Sequence, residues 1–136
     1  MKRISKYILL FSLLGGLITS CSKESKTETA LNRSSLTGTW MVTESSKKAT
    51  YEVTILIDSA NSNGVLIANF AGAGQNVKAV AFLTGNTLSL TNNELLSNEW
   101  IVNGSGMVTG TTRIDWSYSI DDGANLTSVK AVFMKK

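Results

Sequence analysis

The side chains able to do covalent or acid–base chemistry are few in this chain and lie far apart. It has no histidine and one cysteine, Cys21. The missing imidazole removes histidine-based nucleophilic triads and zinc sites with histidine ligands. A lone cysteine has no disulfide partner within the chain. Carboxylates remain, and Glu99 with Asp115 is the pair to consider as acid and base. Asp115, however, alternates with Trp116 on what reads as the polar face of a strand, so a solvated carboxylate is expected there. The run Asp58-Ser59-Ala60-Asn61-Ser62-Asn63-Gly64 is rich in oxygen donors. Its alternate positions give Ala60 and Ser62, and the late glutamate of a calcium loop is missing. Gly72-Ala73-Gly74 is followed by a strand pattern, whereas a phosphate cradle needs a helix N-terminus after it; a flexible inter-strand loop is expected. No catalytic, metal or cofactor residues are assigned, and the chain is expected not to be an enzyme. The aromatics Trp40, Trp100, Trp116 and Tyr118 are left as the set that could contact a ligand. Core filling is their other role, because Trp116 and Tyr118 share an apolar face with Ile114 and Ile120.

Cys21 takes its meaning from what precedes it. Lys2, Arg3 and Lys6 lead into an apolar run, Ile8 to Ile18, far shorter than the ~20 residues that span a bilayer. A basic start, a short apolar core and small residues before the cut make a secretory signal. Ile18-Thr19-Ser20-Cys21 resembles the lipobox of bacterial lipoproteins. That resemblance implies cleavage before Cys21 and a diacylglycerol thioether on its sulfur, usually with an N-acyl chain as well. Two or more acyl chains anchor stably where one does not, and the thioether removes a reactive thiol from an oxidising compartment. Ser22, in place of aspartate, implies the outer membrane. The run Ser22-Lys23-Glu24-Ser25-Lys26 holds one acid and two lysines, which leaves the periplasmic face and the cell surface both open.

The expected organisation is a signal peptide over 1–20, the lipidated cysteine and a polar tether over 21–35, and one folded domain over 36–136. Three of the 13 Lys and Arg lie in the signal and all 10 Asp and Glu lie after it, so the mature chain is near neutral. No basic footprint for nucleic acid survives.

The domain shows period-two alternation broken by Gly and Asn clusters, the pattern of an all-β fold. Strands are expected at Gly38–Glu44, Thr50–Asp58, Val65–Phe70, Val77–Thr84, Thr87–Thr91, Glu99–Val108, one centred on Ile114–Ile120, and Leu126–Met134. Gly104 and Gly106 suggest a bulge or sharp bend, and Asp122-Gly123 a hairpin turn. Eight strands joined by short connections predict an antiparallel up-and-down β-barrel, wide enough to be filled or to hold one small ligand. A two-sheet β-sandwich is the alternative.

Thr37-Gly38-Thr39-Trp40 resembles the Gly-X-Trp opening of lipocalins and other calycins. The resemblance implies that Trp40 closes the barrel base under a basic residue from a late strand, for which Lys130 is the candidate. Over most of 36–136 the pattern resembles small lipocalin-like lipoproteins of Bacteroidota. It rests on Leu36 to Trp40, Asn69 to Gly74, Gly104-Ser105-Gly106 and Tyr118 to Gly123. Asp58-Ser59-Ala60 matches the Asp-Ser/Thr-small pattern of O-glycosylation in that group, with Ser59 as acceptor. Three functions fit. The first is an anchored barrel binding a small apolar or amphipathic ligand or an envelope protein. The second is an interaction module with a filled core. The third is a glycan-binding accessory with exposed Trp100 or Trp116. An open cavity around Trp40, Trp116 and Tyr118 would favour the first, a filled barrel the second, and a flat aromatic strip the third.

Overall fold

A computed structural model describes residues 31–47 and 50–136. Cys21, the signal and most of the tether lie outside these residues. The strands are β1 (Gly38–Glu44), β2 (Thr50–Ile57), β3 (Gly64–Ala68), β4 (Lys78–Thr84), β5 (Thr87–Leu90), β6 (Glu94–Leu95), β7 (Ile101–Thr109), β8 (Arg113–Asp121) and β9 (Leu126–Lys135). All pairings are antiparallel between neighbours in sequence, except that β5 passes over β6 to pair with β7 and β1 pairs with β9. Those two pairings close a ring of eight strands, so the fold is a barrel and not a sandwich. The two-residue β6 adds to β7 outside the ring, in the stretch between the strands expected at Thr87–Thr91 and Glu99–Val108.

Alternation explains which side chains face inward. Trp40 and Val42 of β1, Val53 and Ile55 of β2, Val65 and Ile67 of β3, and Ile114 and Trp116 of β8 are buried, and the residues between them face solvent or are half-buried. At ~25 cal/mol per Å² of apolar surface removed from water, this lining is the main stabilising contribution.

One end of the barrel, the base, gathers residues 31–37, the β2–β3, β4–β5 and β7–β8 turns and the C-terminus. Arg33–Leu36 forms a turn of 3-10 helix capped by the Asn32 side chain. Arg33 Nη1 donates to the carbonyls of Asp58, Asn61 and Gly64 at 2.8, 2.5 and 3.0 Å. Residues 31–35, assigned to the tether by composition, therefore pack on the barrel. Trp40 is fully buried, and its indole N–H donates to Leu36 O at 2.8 Å. The basic residue over its ring is Lys135, with Nζ 5.7 Å from the centroid, and not Lys130. Register decides this: Lys135 pairs with Trp40, whereas Lys130 pairs with Ser117 on the outer wall.

Gly104 and Gly106 make no bulge, since β7 pairs with β8 in unbroken register from Ile101 to Thr109. They make room for β8, Gly106 for the Trp116 ring and Gly104 for the chain at Ser117 and Tyr118. A Cβ on Gly106 would meet the Trp116 ring at 2.7 Å, and one on Gly104 would meet Tyr118 Cα at 2.5 Å. Gly104 also has φ +149°, a bend where β7 leaves β6 and joins β5.

Candidate functional site

The opposite end, the mouth, is ringed by the β1–β2, β3–β4, β5–β7 and β8–β9 connections. Its distinctive group is Glu44, the last residue of β1. The strand's alternation carries it inward after Trp40 and Val42, and its side chain has no solvent exposure. Burying an isolated carboxylate is costly unless donors meet it. Two do: Tyr51 Oη donates to Glu44 Oε1 at 2.6 Å and Tyr118 Oη at 3.0 Å. The second carboxylate oxygen, Oε2, accepts no hydrogen bond among the described residues. Lys47 Nζ lies 3.4 Å from it, within ion-pair distance, on a side chain that is 59% exposed.

Both phenols are held far above the ordinary tyrosine value. For Tyr51 burial acts first, then Tyr118 and the Glu44 carboxylate. For Tyr118 burial again leads; the Tyr51 hydroxyl pulls the other way and Glu44 adds to the rise. Both remain O–H donors across the physiological range.

Below this cluster the barrel is filled. Trp40, Val42, Val53, Ile55, Ile67, Phe70, Ile114 and Phe133 have no solvent-accessible surface, so no water-sized void opens against them. Phe70 comes from the β3–β4 connection. The strand expected to reach it stops at Ala68, and the chain folds inward through left-handed Asn69 and Ala71 (φ 63° and 58°). The Asn69 side chain holds the turn, donating to Glu52 O at 2.8 Å and accepting from Gly74 N at 2.7 Å. Phe70 then packs edge-on to Trp116 at 5.2 Å and tilted to Tyr118 at 4.8 Å. Ala71, just before the loop expected at Gly72-Ala73-Gly74, is likewise buried in the core. Trp116 completes the cluster against Phe133 at 5.6 Å, and its indole N–H is buried with no acceptor among the described residues. An unmet buried donor costs about 1–3 kcal/mol.

Of the aromatics singled out from sequence, Trp116 and Tyr118 both pack on Phe70, Trp40 lies at the base, and Trp100 is half-buried after β6. Trp116, 2% exposed, cannot serve as the exposed glycan contact considered above. Asp115 is paired with Arg113 at 2.9 Å on the outer wall and its carboxyl is held below the usual range by that guanidinium; Glu99 is exposed on the β5–β7 connection. These two carboxylates are not brought together. Ser59 is exposed on the β2–β3 turn. Sequence reasoning missed Glu44, Tyr51 and Lys47, although parity with Trp40 and Val42 already placed Glu44 inside.

No protein-family model matches the chain, and no curated protein matches its sequence. Among solved structures it is similar to a redesigned β-barrel, 14% identical with a TM-score of 0.51, covering 76% of this chain and 94% of that one. A second is EF1p2_mFAP2b bound to DFHBI, 14% identical with a TM-score of 0.49, covering 76% and 95%. The first likeness agrees with the closed barrel; at this identity it speaks to fold alone.

Proposed function

We propose that this chain is a lipoprotein anchored through Cys21 to the outer membrane, and that its barrel binds a small amphipathic ligand at the mouth. The observation that carries the binding half is the buried Glu44 carboxylate with one oxygen left without a hydrogen bond. Buried ionic clusters replaced as a whole by apolar side chains often lose no stability, so a carboxylate kept here with both of its phenol donors supports a role beyond packing. The filled lower barrel limits the ligand to the mouth, so a deep calyx for a long hydrophobic guest is not part of the proposal. The anchoring half rests on the signal, the lipobox and the lone cysteine, together with the resemblance to lipocalin-like lipoproteins of Bacteroidota.

Native mass spectrometry of the protein released from its own envelope tests the binding half. A retained small-molecule mass that disappears in Glu44→Gln supports it; the same adduct in both would remove Glu44 from the site. The filled core also favours a second reading, an interaction module with no ligand, in which a protein from the envelope co-purifies and no small adduct does. Ser59 is proposed as an O-glycan acceptor, its side chain exposed while Asp58 Oδ1 accepts the Ala60 N–H at 2.9 Å. Loss of a glycan mass in Ser59→Ala checks it, and an unchanged mass refutes it.

A further inference from the structure

We infer that the mouth recognises an organic cation, a ligand with a primary ammonium on a short apolar body, and that Lys47 occupies the cation's place in the free protein. The inference rests on the ligand-binding reading above and names its chemistry. Three observations carry it. Glu44 Oε1 accepts from two phenol donors, which fixes the carboxylate and leaves Oε2 without a hydrogen bond among the described residues. Among the described residues an ammonium lies within ion-pair distance of Oε2, Lys47 Nζ at 3.4 Å, outside hydrogen-bond geometry and on a mostly exposed side chain. A flexible lysine held this loosely is displaceable, and a free ammonium seated at hydrogen-bond distance would make the charge-assisted bond that Lys47 does not.

The third observation is the surrounding surface. Residues 79–112 and 114–129 contain no lysine or arginine, and they bring Glu94, Glu99, Asp121 and Asp122 to the mouth side of the barrel. Lys47 on the β1–β2 connection and Lys78 at the start of β4 also belong to the mouth, so the four acids form one side of it, along the β5–β7 and β8–β9 connections, and that side attracts the opposite charge. Half-buried Ala73, Val77, Trp100 and Ile120 pack against the core near this end and offer a short alkyl chain an apolar seat. An anion would meet that acidic side and the Glu44 carboxylate together, and a neutral alcohol would leave Oε2 without a counter-charge.

The test uses the full chain with Cys21→Ser, so that no detergent competes, and three probes of equal length: hexylammonium, hexanol and hexanoate. Binding is followed by calorimetry and tryptophan fluorescence. Hexylammonium is expected to bind saturably and the other two to bind at least about tenfold more weakly. Lys47→Ala, a change at an exposed side chain, is expected to tighten hexylammonium binding several-fold by removing the internal competitor. Glu44→Gln, checked for folding by circular dichroism, is expected to weaken it about tenfold or more. Equal binding of hexanol would overturn the cation while leaving a ligand site standing. Unchanged or weaker hexylammonium binding in Lys47→Ala would overturn the displacement of Lys47. Absence of binding by all three probes, in wild type and in Lys47→Ala, would overturn both the cation and the ligand reading.

Discussion

Tyr51 and Tyr118 are the only tyrosines after the signal segment, and both donate to one buried carboxylate. Their raised values mean that folding favours the protonated phenol. The stability they contribute is complete below the ordinary phenol value of ~10 and is lost as pH climbs past it. In alkaline titration of the chain lacking residues 1–20, phenolate absorbance should therefore appear only together with loss of the β-sheet circular dichroism signal. Either tyrosine ionising while the sheet signal is intact would contradict this. Asp58 behaves in the opposite sense. The Asn61 side-chain amide first, then the Ala60 N–H, hold its carboxyl below the usual range, and the charge of Arg33 adds to this. Its contribution is present above ~3.9 and disappears as pH falls through its lowered value. Asp58→Asn should thus melt below wild type at neutral pH, with the gap closing in strong acid; a gap independent of pH would show that the charge is not what matters.

At the scale of elements, how legible a strand was depended on where its contacts lie. β1 and the start and end of β8 follow from alternation, because a half-buried strand writes its two faces into neighbouring residues. β6 was not legible: two residues carry no period, and the pair exists only because β7 runs past the end of β5. The inward turn at Phe70 was equally hidden, since Asn69 and Ala71 adopt left-handed backbone for a contact with Trp116 and Tyr118 far along the chain. Glu44 was legible in position by parity but not in partnership, since Tyr118 is 74 residues away. Two glycines at positive φ, Gly104 in β7 and Gly85 in the β4–β5 turn, give a direct comparison. Gly104→Ala would drive a Cβ to 2.3 Å from Ser117 O, whereas at Gly85, also at positive φ, nothing lies within 4 Å. Gly85→Ala is expected to cost about 1 kcal/mol from backbone strain alone. Gly104→Ala should cost about 1–3 kcal/mol more from overpacking. Denaturant midpoints of the two variants check the order, and equal losses would mean that β7 yields freely.

For the whole molecule, anchor and barrel are expected to be separable. The core of the described residues is built from Leu36 to Phe133, so Cys21→Ser should release the protein from the membrane fraction while leaving its melting temperature within about 1 °C of wild type, since stability is set by the buried barrel. Fatty-acid labelling of the mutant equal to wild type would disprove the attachment site. The chain leaves the barrel beside Ser62, Asn63 and Gly85, all at the base. A tether of ten residues reaches at most about 35 Å, which on the proposed anchoring keeps the base toward the lipid and opens the mouth away from it.

The seam between β1 and β9 has a consequence for engineering. It brings the two termini of the domain together: Lys135 Nζ donates to Ser35 O at 2.7 Å and Lys136 N to Thr39 O at 3.1 Å. The ring is therefore indifferent to where the chain begins. A circular permutant that joins Lys136 to Leu31 through a short linker and opens at the exposed Gly123 would keep every strand pairing, because loop tips tolerate new ends. Its termini would lie at the mouth, and an anchor attached there would turn the molecule over, pressing Glu44 toward the membrane from which the proposed anchoring turns it away.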